Sequence, residues 1–191
     1  MAGSTRRVIG VDPGLTRCGV GVIDVDRTRR TTLVHVDVVR TSPETPIEQR
    51  LAVVAAGLRA VIEAHAPEVL AVERVFSQHN RQSVMGTAQA SGIALLVAAE
   101  AGLSATMHTP SEVKAAVTGY GAADKRQVQA MIARILRLDA PPQPADAADA
   151  LAIAICNAWR GGASAYQPMR GNAALTPAQR AWAAAERATR S

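Results

Sequence analysis

The chain has 191 residues, of which 48% are hydrophobic and 19% charged, which is ordinary for one soluble α/β domain, and its net charge of +5 favours an anionic partner such as nucleic acid. The opening MAGSTRR lacks the apolar run of a secretory signal, and the longest apolar stretch, at 92–99, is far too short to span a bilayer, so we expect a cytoplasmic protein. The two cysteines, Cys18 and Cys156, are too few for a disulfide framework or a cysteine-based zinc site.

Strand signals dominate the start of the chain. An apolar run at 8–11 leads into Asp12, and alternating segments at 18–26 and 31–40 follow it, which together predict a three-stranded antiparallel meander. Apolar residues from Ile47 onward recur at steps of three and four and predict an amphipathic helix. The almost wholly apolar segment 68–76 is then typical of a buried parallel strand, joined to the meander through a right-handed crossover.

The second half of the chain is mostly helical. A segment rich in Gly and Ala at 82–101 predicts a helix, 104–108 a short fifth strand, and a last helix begins at about Ala145 after a proline-rich linker. Two helices between them start with reciprocal capping pairs, Thr109 with Glu112 and Asp124 with Gln127. These elements predict an α/β fold with a five-stranded mixed sheet flanked by helices. We expect one domain over 1–160 and a mobile tail over 161–191.

Four carboxylates stand in unusual settings. Asp12 and Glu73 lie at the carboxyl ends of apolar strands, where ligands bind in open α/β sheets. Asp146 and Asp149 are three residues apart and so project from one face of the last helix. Asp146 alone is explained by the helix dipole, and Glu73 and Asp149 alone by buried ion pairs.

Taken together, the four acids favour a metal site. Two like charges about 4 Å apart repel by roughly 4 kcal/mol at an effective dielectric near 20, so such a cluster needs cations or protons. Oxygen-rich sites of this kind prefer Mg²⁺ or Mn²⁺. A pair of such ions can activate a water and stabilise the leaving oxygen in phosphodiester cleavage.

Five motifs, in this order and spacing, carry a family resemblance over residues 6–160: GVDPGLTRCGVGVI, VLAVERVFSQHN, GTAQASG, HTPSEVKAAVTGYGAADKRQV and PADAADALAIAI. They resemble the RuvC family of Holliday-junction resolvases. The resemblance implies a ribonuclease H-like nuclease domain, a homodimer, and symmetrical nicking of two strands at a four-way DNA junction. It also implies partnership with the RuvA and RuvB branch-migration proteins in homologous recombination and DNA repair.

The resemblance assigns roles to the acids and to both lysines of the chain. It implies that Asp12, Glu73, Asp146 and Asp149 bind Mg²⁺, with two ions per active site and Mn²⁺ able to substitute. In a chain with nineteen arginines, Lys114 and Lys125 are the only lysines, and each lies beside a capped helix start. They match basic positions that the family uses near the scissile phosphate, where an ammonium neutralises charge or moves a proton. Without the resemblance, a solvated helix-surface lysine is an equal alternative.

A polar loop follows Glu73 and is a candidate DNA contact. It contains Phe76, the only phenylalanine of the chain, followed by polar residues that include Gln78, Asn80 and Arg81. A lone Phe after a strand is ordinarily a core residue. An aromatic side chain in such a loop can also stack on an unpaired base, which is the role that the resemblance implies.

The helix at 82–101 has two compatible interpretations. Its small residues, Gly86, Ala88, Ala90 and Gly92, permit close approach to a second copy of the chain, and they also suit packing on the sheet. A two-fold dimer would supply the two active sites needed to cut opposed strands.

Three other functions are compatible with parts of the sequence. Asp12, Gly14 and Thr16 form D-x-G-x-T, similar to the phosphate-binding turn of actin-like ATPases and sugar kinases, but 191 residues leave little room for their second domain. A non-catalytic DNA-binding module would keep the fold without the chemistry. A ribonuclease H-like nuclease of different substrate preference is the third alternative.

Overall fold

The structure, a computed structural model, describes residues 5–74 and 81–160, without the side chains of residues 81–83. The strands are β1 (Arg6–Asp12), β2 (Arg17–Val25), β3 (Thr31–Arg40), β4 (Val69–Glu73) and β5 (Ser104–His108). The helices are α1 (Ile47–His65), α2 (Arg81–Glu100), α3 (Pro110–Thr118), α4 (Lys125–Leu136) and α5 (Ala145–Arg160).

The five strands form one mixed sheet in the order β3-β2-β1-β4-β5. The pairs β1–β2 and β2–β3 are antiparallel, whereas β1–β4 and β4–β5 are parallel. This arrangement confirms the predicted meander extended by parallel strands. The strand predicted over 68–76 begins at Val69 and ends at Glu73, opposite His108 at the end of β5. The Arg74 N–H still donates to the His108 carbonyl at 2.7 Å, and residues 75 and 76 lie outside the described residues.

Both faces of the sheet are covered. On one face α1 and α2 pack over alternate strand residues such as Ile9, Val22 and Leu70. On the other face α3, α4 and α5 pack over the intervening residues, such as Val8 and Ile23. Burial on both sides explains why β1 and β4 are continuous apolar runs rather than alternating ones.

Helix α5 lies directly on glycines of the sheet. A Cβ atom at Gly10 would overlap the carbonyl oxygen of Ala150, and one at Gly19 would overlap the carbonyl oxygen of Asp146. The absence of side chains at these two positions therefore allows the α5 backbone to approach β1 and β2 closely. From Ala147 to Asn157 every residue of α5 except Asp149 is buried.

The predicted helix caps are confirmed. The Thr109 hydroxyl accepts from the Glu112 backbone N–H at 3.2 Å, and the Asp124 carboxylate accepts from the Gln127 N–H at 2.9 Å. Both are complete capping boxes, since each N3 side chain also accepts from the backbone of its cap residue. They fix the starts of α3 and α4.

The tail predicted over residues 161–191 lies outside the described residues. Within 5–74 and 81–160, no helix is both long and apolar enough to cross a membrane.

Substituting Gly10 by Ala tests the contact between α5 and the sheet. The added Cβ meets backbone atoms of α5, which cannot rotate away, so we expect the free energy of unfolding to fall by about 1–3 kcal/mol. Ser104→Ala is the control, because Ser104 is an exposed residue of β5. Chemical denaturation measures both variants, and a Gly10→Ala protein as stable as the parent would contradict the close contact.

Candidate active site

Asp12 and Glu73 lie side by side at the carboxyl edge of the sheet. The parallel register pairs Val11 of β1 with Val72 of β4, and the next residue on each strand is the acid. Val11 and Val72 belong to the core under α1 and α2. Because side chains alternate along a strand, both carboxylates face the opposite layer, which contains α3, α4 and α5.

The two acids open into a pocket of about 300 Å³ that all three of these helices help to form. Asp149 of α5, Lys114 of α3 and Lys125 of α4 also line it. Apolar atoms complete the wall, from Pro110, Val113, Val128 and Ala152. The pocket therefore gathers three of the four predicted acids and both predicted lysines.

Asp12 has the most perturbed carboxyl group of this site. Burial raises the pKa of Asp12 to about 7, and the negative charges of Asp149, Glu73 and Asp146 add to the effect, while Lys125 opposes it. The pKa of Glu73 is raised as well, first by burial and then by Asp149, with Lys114 and Lys125 opposing. The four acids are thus electrostatically coupled, although Asp146 does not line the pocket itself.

Two of the acids are engaged by basic side chains. Lys125 Nζ donates to Asp149 Oδ2 at 2.8 Å, which raises the pKa of Lys125. The Arg17 guanidinium contacts Asp146 Oδ2 at 2.7 Å. Among the described residues, no three His, Cys, Asp or Glu side chains converge closely enough to hold a metal ion. Three of the four carboxylates therefore line the pocket, Asp146 lies outside its lining, and both Asp146 and Asp149 are turned to basic partners.

The ion pairs bear on the alternatives for the individual acids. Asp149 does have a basic partner, as the ion-pair interpretation requires, but Lys125 is largely exposed, so the pair is open to solvent. Asp146 lies in the first turn of α5, where it complements the helix dipole, and it also pairs with Arg17. Neither interpretation accounts for Asp12, which no described basic group contacts within ion-pair distance.

The predicted DNA contacts of the loop stay predictions. Phe76, Gln78 and Asn80 lie outside the described residues, and of Arg81 only the backbone is described, as the first residue of α2.

Arg17 is a site residue that the sequence analysis did not single out. It is 129 positions from Asp146 in the chain, so no local pattern connects the two. The available signal was its position directly after the turn that begins at Asp12.

A family model described as crossover junction endodeoxyribonuclease RuvC matches residues 8–157. The chain belongs to this family. A relative of the same description from Leifsonia xyli subsp. xyli is 60% identical over 195 residues, covering 97% of this chain and 94% of the relative. The family is one of endodeoxyribonucleases, which confirms the predicted enzyme class.

Solved structures agree with this assignment. T. thermophilus RuvC in complex with Holliday junction substrate has a TM-score of 0.77 and 37% identity, covering 81% of this chain and 94% of that one. The yeast mitochondrial Holliday junction resolvase Ydc2 has a TM-score of 0.57 at 14% identity, covering 83% of this chain and 81% of that one, which supports the fold alone. The predicted ribonuclease H-like fold is confirmed.

The raised pKa of Asp12 has a consequence for stability in the absence of metal. An acid whose pKa is higher in the folded than in the unfolded state destabilises the fold increasingly as pH rises from about 4 to about 7. We therefore expect Asp12→Asn to be more stable than the parent at about pH 8, with the difference vanishing near pH 4. Thermal unfolding in EDTA measures this.

The control for that experiment is Asp139→Asn, at an exposed position. It should leave the melting temperature unchanged at both pH values. Equal stability of Asp12→Asn and the parent at about pH 8 would show that the pKa of Asp12 is not raised in the folded state.

Proposed function

We propose that the chain is a Mg²⁺-dependent, structure-selective endonuclease that resolves four-way DNA junctions by paired symmetrical nicks in homologous recombination and DNA repair. The observation that carries the proposal is the pocket at the ends of β1 and β4, where Asp12 lies with two further acids and two lysines, and where the charge of Asp146 also acts on Asp12. Family membership supports the same reaction, and the similar T. thermophilus RuvC was solved with Holliday junction substrate.

The donor chemistry of these residues suits a hard divalent cation. Among the described residues no three of the acids converge on one point, so Asp146 and Asp149 would have to turn from Arg17 and Lys125 to join the other acids as ligands. All four acidic groups supply oxygen donors. Burial first, and the neighbouring acids second, raise the pKa of Asp12, and a bound cation would oppose both effects. Asp12, Glu73, Asp146 and Asp149 would hold the metal, which we infer to be two Mg²⁺ ions with Mn²⁺ able to substitute. Metal bound by these residues would supply an activated water and would stabilise the leaving oxygen of the phosphodiester.

The basic residues have two roles in this proposal, since they hold two of the acids and contact the phosphate. Lys125 and Arg17 hold Asp149 and Asp146 in place and limit their repulsion with Asp12. Lys114 and Lys125 stand on the pocket wall, where their ammonium groups would contact the phosphate being cut. Their caps fix the helices that carry them, so the charges are held at defined positions.

The cleavage of two opposed strands needs two active sites, and we propose a homodimer. One face of α2 packs on the sheet through residues such as Ala94 and Ala98. Its opposite face is exposed and mostly apolar, with Met85 at 62% and Leu96 at 51% of full exposure and with Gln89 and Gly92 between them. This face is suited to close approach by a second copy of the chain.

We further propose a cytoplasmic location, and RuvA and RuvB as partners at the junction, on the strength of family membership.

Asp149→Asn tests the proposed chemistry. The variant loses a proposed metal ligand but keeps the fold and the basic surface. Loss of a residue that only supports a metal ligand already lowers metal affinity or activity by up to about a hundredfold. We therefore expect the cleavage rate to fall by more than that, with junction binding retained. The measurement is cleavage of a labelled four-way junction and a linear duplex of the same sequence, each with Mg²⁺ and with EDTA.

Asp139→Asn, at an exposed position, is the matched control and should cut like the parent. Nicks by the parent that are confined to the junction and to Mg²⁺ support the proposal. A parent protein that binds the junction and cuts neither substrate would favour the non-catalytic binding module.

Leu96→Glu tests the proposed dimer. A charge on the exposed face of α2 should oppose association, because burying an unpaired carboxylate is strongly unfavourable. We expect the molar mass measured by light scattering to fall from two chains to one, and paired nicks to become single nicks. Tyr120→Glu, at an exposed site between α3 and α4, is the control, and an unchanged mass for Leu96→Glu would place the interface elsewhere.

A further inference from the structure

A second pocket adjoins the turn that carries Asp12. It has a volume of about 340 Å³ and lies between the β1–β2 turn, the first turn of α1 and the helix α2. Its lining residues are Gly14, Leu15, Thr16, Arg17, Arg50, Gly86 and Thr87. The turn is shared by both pockets, since Asp12 at its start lines the first pocket and Arg17 at its end lines the second.

Arg50 is a charged residue of this pocket that two hydrogen bonds hold in place. Its Nε donates to Thr41 Oγ1 at 2.9 Å, and its NH2 group donates to Thr16 Oγ1 at 2.7 Å. Both acceptors are neutral hydroxyls. In residues 5–74 and 81–160, no carboxylate lies within ion-pair distance of Arg50.

The guanidinium is therefore oriented but not neutralised. A guanidinium has about five N–H donors in a fixed fork, and two of those of Arg50 are used. The fork matches the oxygens of a phosphate group, which can accept from two donors at once. Arg17 also lines the wall, although its guanidinium is paired with Asp146, and Thr16 is exposed beside it.

We propose that this pocket, centred on Arg50 and Thr16, binds a backbone phosphate of the DNA strand whose scissile phosphate lies in the pocket of Asp12. This rests on the proposed function, because it takes DNA as the substrate. The shared turn from Asp12 to Arg17 sets the distance between the two phosphate positions. Arg50 is then a positioning residue that fixes the register of the strand.

Arg50 also has a structural role, which the test must separate from phosphate binding. Thr41 donates its hydroxyl to the Leu15 carbonyl at 2.6 Å and its N–H to the Thr16 carbonyl at 3.0 Å. Arg50 and Thr41 thus fasten the same turn. Thr41→Val removes the hydroxyl contacts and leaves the charge of Arg50, whereas Arg50→Gln removes the charge.

The experiment measures binding of a four-way junction by the full chain from about 50 to 200 mM salt. We expect Arg50→Gln to weaken affinity about tenfold, as for the loss of one charge-assisted hydrogen bond, and to reduce the slope of log K against log salt by about one. Arg50→Lys should restore the slope. Thr41→Val should keep the slope of the parent.

Arg59→Gln is the matched control. Arg59 lies on the same helix, but its guanidinium is already paired with Glu100 at 2.9 Å. It should leave affinity and slope unchanged. If Arg50→Gln and Thr41→Val weaken binding equally with the parent's slope, Arg50 only fastens the turn and the proposal is overturned.

Two further results separate the sources of the phosphate and the two proposals. The first result uses ATP at about millimolar concentration as a competitor of junction binding. If ATP competes with the parent but not with Arg50→Gln, and if the parent turns over ATP without DNA, the pocket binds a nucleotide and the DNA proposal is overturned. Binding is measured in EDTA and needs no cleavage. A parent that fails to cut therefore refutes the proposed nuclease, whereas an unchanged salt slope in Arg50→Gln refutes the phosphate pocket.

Discussion

The placement of the proposed catalytic acids depends on one packing contact, in which the backbone of α5 lies on glycines of β1 and β2. Gly19 is paired with Asp12 in the antiparallel ladder, and the Asp146 carbonyl lies where a Cβ of Gly19 would be. The first turn of α5 is therefore fixed over the end of β1. A side chain at Gly10 or Gly19 would lift α5 from the sheet and separate the acids of α5 from Asp12.

The same contact creates the electrostatic tension of the site. It introduces Asp149 into a helix segment that is otherwise buried, next to an Asp12 carboxyl whose pKa is about 7. Lys125 and Arg17 relieve part of the repulsion through contacts open to solvent, whose strength is limited by screening. A bound cation would relieve more of it, and metal affinity and stability would then be linked in this fold.

Local features of the fold were predictable from the sequence, because their causes lie within a few residues. The capping boxes at Thr109 and Asp124 and the strand Ser104–His108 are of this kind. The sequence predicts that β1 and β4 end side by side only if the two strands are neighbours in the sheet. The support for that strand order was the crossover connection between the meander and β4. The end of β4 at Glu73 comes earlier than predicted, because the pairing depends on where β5 stops.

The remaining features of the site depend on residues distant in the chain. Arg17 contacts Asp146 only because α5 packs on the glycines of the sheet. The positions of the four acids in the sequence likewise did not reveal that Asp146 and Asp149 would pair with basic side chains. Arg50 is similar, since its hydrogen bonds join α1 to the β1–β2 turn. Periodicity reports burial within an element and carries no information on such contacts.

The β1–β2 turn connects these observations to substrate selection. It begins at Asp12, is bounded by the first residue of β2, and is held from outside by Thr41 and Arg50. Phosphate contacts fix the position of a nucleic acid without reading its bases. Two anion positions on one fastened turn would therefore fix the path of the cleaved strand through each active site. With a second copy of the site held by two-fold symmetry, the spacing and direction of the two paths would select a branched substrate over a linear duplex.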